Sequence, residues 1–136
     1  MKIYKDRKRN FGESMVQKEE SQKGKSDKDE LNYWKEVGDN SFKEGNYLAA
    51  LEAYETIARS DPQNAEAWKG MATAFSLLDK PYEALESLDN AIEINPSDIE
   101  SVEIKGLILK KLLEENQERL NQIKEQKSDE NHQKLV

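Results

Sequence analysis

The stretch LNYWKEVGDNSFKEGNYLAALEAYETIARSDPQN, residues 31–64, is followed at once by AEAWKGMATAFSLLDKPYEALESLDNAIEINPSD, residues 65–98. A shift of 34 residues superimposes the first stretch on the second. The matched pairs are small, apolar or turn-forming residues: Trp34 with Trp68, Val37 with Met71, Gly38 with Ala72, Ala50 with Ala84, Leu51 with Leu85 and Pro62 with Pro96. Self-similarity at this period is typical of a solenoid of helix–turn–helix units. We therefore predict an all-α solenoid that contains two complete units.

Each unit is predicted to contain two amphipathic helices, because its apolar residues recur at spacings of three and four. Asp27 or Asp29 is suited to cap the first helix, and Gly45 is suited to end it. Pro62 and Pro96 follow the second helix of each unit and force the preceding residue out of helical conformation. The predicted helices cover approximately residues 30–44, 47–60, 65–78 and 81–94.

The third unit begins like the others and then departs from them. Val102, Gly106 and Leu109 keep the packing positions of its first helix, but the correspondence is lost beyond Leu112. No proline or turn cluster interrupts residues 99–126, so we predict one long helix there, which closes the core as a terminal cap. A capping box of Ser97 and Glu100 is predicted at its start.

The predicted domain covers residues 31–126, and it consists of the units 31–64 and 65–98 and the capping helix 99–126. The flanking segments 1–30 and 127–136 are charged and contain few large apolar residues. Ordering them would bury too little apolar surface to offset the loss of conformational entropy. Both segments are therefore predicted to be disordered tails.

The charge distribution argues against a nucleic-acid-binding body. The net charge is −7, and residues 31–98 carry thirteen Asp and Glu against five Lys and Arg. Surfaces that bind nucleic acid are normally basic, because neutralising phosphate supplies most of the affinity. A basic cluster between Lys2 and Arg9 leaves nucleic acid as a third, minor alternative, and a solvated tail is the simpler interpretation.

The residue types that support catalysis or metal binding are missing or isolated. The chain has no cysteine, and its only histidine, His132, falls in the predicted C-terminal tail. There is no glycine-rich phosphate loop and no HExxH motif. We predict no enzymatic activity, no cofactor and no metal. The absence of a signal-type segment and of a long apolar run predicts a cytoplasmic protein that does not contact membranes.

The repeated motifs resemble the tetratricopeptide repeat. The matching residues are Trp34-x2-Val37-Gly38, Ala50-x3-Tyr54 and Pro62 in the first unit, and Trp68-x2-Met71-Ala72-x2-Phe75, Ala84 and Pro96 in the second. Ser41 departs from the pattern where an aromatic residue is usual, and Ala72 replaces a glycine. The resemblance implies a non-catalytic adaptor that binds a peptide or protein segment in a concave groove lined by the first helix of each unit.

Carried over residue by residue, the resemblance implies a partner groove made of Asn32, Lys35, Glu36, Asp39, Phe42, Lys43, Glu66, Lys69, Thr73, Leu77, Glu103, Leu107 and Lys110. Some family members clamp the acidic tail of heat-shock chaperones with lysine, arginine and asparagine side chains. Lys35 matches one clamp position, but Asp39, Gly70, Glu100 and Ile104 stand at the others. Acidic groups there would repel an acidic ligand, so we predict that this tail is not bound.

The long third helix offers an alternative function, which is self-association or docking of a partner helix. Leu113, Asn116, Leu120 and Ile123 continue a heptad-like stripe, and Ile104, Ile108 and Leu112 lie beside it with no following helix to cover them. The alternative is therefore a homo-oligomerising structural or assembly factor. The plain interpretation, a capping helix with a frayed polar end, carries similar weight.

Overall fold

The computed structural model describes residues 27–135, and within them the chain forms five helices and no strand. The helices are α1 (Asp27–Lys43), α2 (Tyr47–Ser60), α3 (Ala65–Leu77), α4 (Pro81–Ile94) and α5 (Ile99–Leu135). Each helix packs mainly against its neighbours in the chain, which is the arrangement of a solenoid. The all-α prediction is confirmed, and the part of the predicted N-terminal tail before residue 27 lies outside the described residues.

Two turns of the same design join the helices within each unit. Gly45 and Asp79 have positive φ angles of 74° and 57°. The amide that follows each of them reaches back to the last turn of the preceding helix: Asn46 N donates to Ser41 O at 2.8 Å, and Lys80 N donates to Phe75 O at 2.8 Å. This is the Schellman arrangement, which satisfies carbonyl groups at the helix end.

Side chains cap the starts of α2 and α3, whereas the Lys80 side chain makes no capping hydrogen bond at the start of α4. The side chains of Asn46 and Asn64 accept from the amides of Ala49 and Ala67, at the starts of α2 and α3. The predicted capping box of Ser97 and Glu100 is wrong. The Ser97 hydroxyl donates to Asn95 instead. Asp98, the residue directly before α5, takes the capping place.

The helix α5 is longer than predicted, because it continues to Leu135 and so includes most of the segment 127–136 that was predicted as a tail. Its sequence explains the extension. Beyond Gly106 it contains neither glycine nor proline, and it is rich in Leu, Lys, Glu and Gln, which favour helix. Every residue from 113 to 135 is exposed.

The core lies between α2, α3 and α4. Met71, Phe75 and Leu88 are fully buried, and Trp68 is 2% exposed. The indole Nε1 of Trp68 also donates to Pro62 O at 2.9 Å, which ties the second unit to the turn before it. Trp34, the matching residue of the first unit, is only half-buried at the edge of the core.

This difference predicts unequal costs for the two tryptophans. We expect Trp68→Ala to lower the free energy of unfolding by about 3–5 kcal/mol, because a large buried side chain is removed. Trp34→Ala should cost clearly less, because its ring is already partly in contact with solvent. Urea unfolding of both variants tests this. Equal losses in the free energy of unfolding would show that the contribution of Trp68 to stability does not depend on its burial.

Candidate partner-binding groove

The groove is shaped by one tyrosine that lies between two glycines. Tyr54 of α2 is 6% exposed. A Cβ atom added to Gly38 of α1 would lie 2.7 Å from Tyr54 Cε2, and one added to Gly70 of α3 would lie 2.6 Å from Tyr54 Cδ1. Any side chain at either glycine would therefore collide with the ring. The first helices of both units approach each other only as closely as this ring allows.

The same tyrosine reaches the groove through its hydroxyl group. The Tyr54 hydroxyl donates to the carboxylate of Asp39, a predicted groove residue on α1. Burial raises the pKa of Tyr54 and the hydrogen bond to Asp39 raises it further, so the hydroxyl stays protonated. Phe42, which was also predicted to line the groove, is half-buried and packs on this ring with a centroid distance of 5.8 Å.

A second polar cluster connects α3 to the start of α5. Lys69 Nζ lies 2.9 Å from Glu100, 3.1 Å from Glu66 and 3.3 Å from Asp98. The hydrogen bond to Glu100 contributes most to raising the pKa of Lys69, and burial of the side chain opposes it. The side chain of Lys69 is only 15% exposed, whereas those of Glu66 and Glu100 are 68% and 66% exposed.

The predicted groove residues divide by burial into two groups. Phe42, Lys69 and Thr73 are half-buried, and the Thr73 hydroxyl donates to the Lys69 carbonyl group within α3. The other predicted residues are exposed: Asn32, Lys35, Glu36, Asp39, Lys43, Glu66, Leu77, Glu103, Leu107 and Lys110. Among the predicted groove residues, Glu66 and Lys69 form a direct ion pair.

Sequence reasoning missed two contributions to this groove. Gly70 was taken as a groove position, but it packs against Tyr54. Asp98 was not considered at all, although it binds Lys69 and accepts from the Ser101 hydroxyl at 2.7 Å. Its place directly before a predicted helix was a signal that could have found it, since Asp is favoured there.

The residues of the predicted association helix also fall into two groups. Ile104, Ile108 and Leu112 are half-buried, and Ile108 packs against the core. Leu112 lines a small cleft with Pro81. The remaining residues are exposed: Leu113, Asn116, Leu120 and Ile123.

A family model described as "Tetratricopeptide repeat" matches residues 41–108, which is half of the chain. The chain belongs to the tetratricopeptide repeat family. The family resemblance inferred from the repeated motifs is thereby confirmed. The repeat domain is a non-catalytic module for protein interaction. No helix in residues 27–135 is apolar enough over a sufficient length to cross a membrane.

The curated relatives include proteins of the heat-shock machinery. The chain is 33% identical over 76 residues to a DnaJ homolog subfamily C member 7 homolog of Schizosaccharomyces pombe, covering 53% of this chain and 16% of that protein. It is 34% identical over 80 residues to an Hsp70-Hsp90 organising protein of Plasmodium falciparum, covering 59% of this chain and 28% of that protein. The chain thus spans less than a third of these relatives.

Two solved structures have the same fold. The first tetratricopeptide repeat domain of Spaghetti (RPAP3), bound to the HSP90 peptide SRMEEVD, has a TM-score of 0.58 and 28% identity over 65% of this chain and 75% of that one. The TPR2B domain of yeast Sti1, in complex with pHsp70, has a TM-score of 0.60 and 21% identity over 62% of this chain and 68% of that one. At the latter identity only the fold is comparable.

The prediction that this groove excludes an acidic chaperone tail is wrong. It is contradicted by the likeness to the Spaghetti domain, which holds such a peptide. The prediction treated four residues as unsuitable clamp positions, and the structure gives three of them another partner. Asp39 accepts from Tyr54, Gly70 packs against the same ring, and Glu100 pairs with Lys69.

The cluster around Lys69 should make stability depend on pH in acid. The Ser101 hydroxyl, and then Lys69, hold the pKa of Asp98 below its ordinary value of 3.8. The charged carboxylate therefore stabilises the fold above that pH, and the contribution is lost as the pH falls through the lower folded-state pKa. We expect Asp98→Asn to lower the urea midpoint at neutral pH, and by a smaller margin at about pH 2.

Glu118→Gln is the matched control for this comparison, because Glu118 is an exposed acid on α5, the helix that Asp98 precedes. The urea midpoint of this control variant should differ little from that of the unmodified chain at both pH values. If Asp98→Asn lowered the urea midpoint by the same amount at both pH values, the assigned role of the Asp98 carboxylate would be contradicted.

Proposed function

We propose that the repeat domain is an adaptor whose groove binds an acidic peptide of the kind that the heat-shock-related neighbour holds. The observation that carries the proposal is Lys69, a cation that is held in place on α3 and paired with exposed carboxylates. The names of the curated relatives and the peptide in the Spaghetti complex support the same ligand class. We also propose that the protein is cytoplasmic, as predicted from the sequence.

Binding would proceed by exchange of carboxylates. Lys69 already has three acidic neighbours, so simple addition of another carboxylate would add repulsion. Glu66 and Glu100 are about two-thirds exposed, so a released glutamate would be hydrated while Lys69 stays paired with Asp98 and the ligand. Asp98 would stay in place, because it also binds Ser101.

The remaining groove residues suit a peptide of mixed character. The peptide SRMEEVD contains an arginine, a methionine and a valine besides its acidic residues. A glutamate released from Lys69 could pair with the arginine. Leu77 and Leu107 are exposed apolar side chains among the predicted groove residues, and they would suit the methionine or the valine. Lys35 and Lys110 supply further exposed cations.

Isothermal titration of the full chain with the peptide SRMEEVD tests this proposal. Lys69→Ala should weaken binding by roughly tenfold or more, because a charge-assisted hydrogen bond is lost. Glu100→Gln should strengthen binding by a few-fold, because it removes a competitor of the ligand for Lys69.

Lys80→Ala is the control variant, since Lys80 is an exposed lysine in the turn before α4 and should not affect affinity. Circular dichroism would establish that all three variants remain folded. The proposal fails if the unmodified chain does not bind the peptide, or if Lys69→Ala and Lys80→Ala bind it equally well.

A further inference from the structure

Within residues 27–135, no helix covers the face of the third unit that corresponds to the covered face of the second unit. Trp68, Ala72 and Phe75 of α3 are 2%, 0% and 1% exposed, and α4 packs against that helix. Thirty-four residues later, Val102 and Leu109 of α5 are 50% and 47% exposed. A Cβ atom added to Gly106 between them would meet nothing within 4 Å. A face that is built to pack on a helix is therefore open.

This face extends along α5 well beyond the third unit. Eight positions spaced by three and four residues form it, and we call them the open seam: Ile99, Val102, Gly106, Leu109, Leu113, Asn116, Leu120 and Ile123. Its large apolar side chains are between 43% and 72% exposed. The seam is about 36 Å long at the rise of an α-helix. A contiguous apolar stripe of this length marks an association site.

The charges beside the open seam indicate what kind of helix would cover it. The positions that flank a heptad stripe hold four cations and one carboxylate: Lys105, Lys110, Arg119, Lys124 and Glu103. On one flank of the open seam, a cation is already paired with a carboxylate of this chain. Lys105 Nζ lies 2.6 Å from Asp89 of α4. A helix that lies along the seam would therefore be stabilised by acidic residues at its own flanks.

The helices that play this part in the earlier units are themselves acidic. The charged residues of α4 are Glu83, Glu86, Asp89 and Glu93, and it has no lysine or arginine. The charged residues of α2 are two glutamates and one arginine. Both helices combine small and apolar inward positions with negative charge, and the same combination fits the open seam.

Two other candidate occupants of the open seam, a second copy of this chain and its own N-terminal segment, fit less well. A second copy would bring the same flanking cations against Lys110, Arg119 and Lys124, and like charges at these positions are unfavourable. Residues 1–26 carry eight Lys and Arg against four Asp and Glu, so that segment is basic as well. Charge complementarity therefore favours a different protein as the occupant.

We propose that the open seam docks an acidic amphipathic helix of a partner protein, in the position that the second helix occupies in the two complete units. The partner helix would place a small or medium-sized side chain against Gly106 and apolar side chains against Leu109 and Leu113. Its acidic flanks would face Lys110 and Lys124. None of the seam residues belongs to the predicted groove, and Lys110 borders both surfaces.

The probe for this proposal is a synthetic peptide with the sequence of residues 81–94, PYEALESLDNAIEI, because this helix covers the equivalent face of α3. It would be titrated into the isotope-labelled full chain and followed by amide chemical shifts, which detect weak binding. We expect shifts at Val102, Gly106 and Leu109. The paired substitution Leu109→Lys/Leu113→Lys should weaken binding by roughly tenfold or more.

Leu135→Lys is the matched control, because Leu135 is 86% exposed on the same helix but lies beyond the seam. It should leave the titration unchanged. A second peptide with lysine at the four acidic positions should not bind. The proposal is overturned if both peptides bind equally, if no shifts occur on α5, or if the shifts fall on Trp68 and Phe75. It is also overturned if the chain alone sediments as a dimer that Leu109→Lys/Leu113→Lys dissociates and Leu135→Lys does not.

Discussion

The repeat domain depends on the ring of Tyr54 being held between two glycines. Gly38 and Gly70 belong to the first helices of successive units, and neither can carry a side chain without colliding with the ring. The ring therefore determines how closely α1 and α3 approach each other, and these two helices line the groove. Because the Tyr54 hydroxyl also binds Asp39, the same residue that joins the units sets the charge environment on one side of the groove.

Ionic contacts hold the other side of the groove. Lys69 connects α3 to Asp98 and Glu100 at the beginning of α5, so the capping helix is attached to the second unit by charge as well as by packing on α4. Glu66 and Glu100 are the exposed members of this cluster, and the proposed exchange releases one of them while Asp98 stays in place. The proposed function assigns the shape of the groove to Tyr54 and the binding of the peptide to Lys69.

The fold could be predicted from local signals, whereas the site depended on contacts that the repeat does not encode. Gly45, Pro62, Pro81 and Pro96 end or start helices by their own backbone restrictions, so the predicted boundaries of the first four helices were close. Gly70 matches Glu36 in the other unit, so comparing units could not reveal its contact with Tyr54. Lys69 lies on α3 and Asp98 lies 29 residues later, directly before α5, and the fold rather than the repeat pattern brings them together.

Urea unfolding of Gly70→Ala beside Gly106→Ala tests the central claim most directly. Both substitutions add one methyl group inside a helix, where alanine is favoured over glycine by about 0.5–1 kcal/mol. At Gly106 the methyl group meets open space, so the variant should be more stable than the unmodified chain. At Gly70 it meets the Tyr54 ring, so the variant should lose about 1–3 kcal/mol. A Gly70→Ala variant as stable as the Gly106→Ala variant would contradict the claim that the Tyr54 contact determines how the units pack.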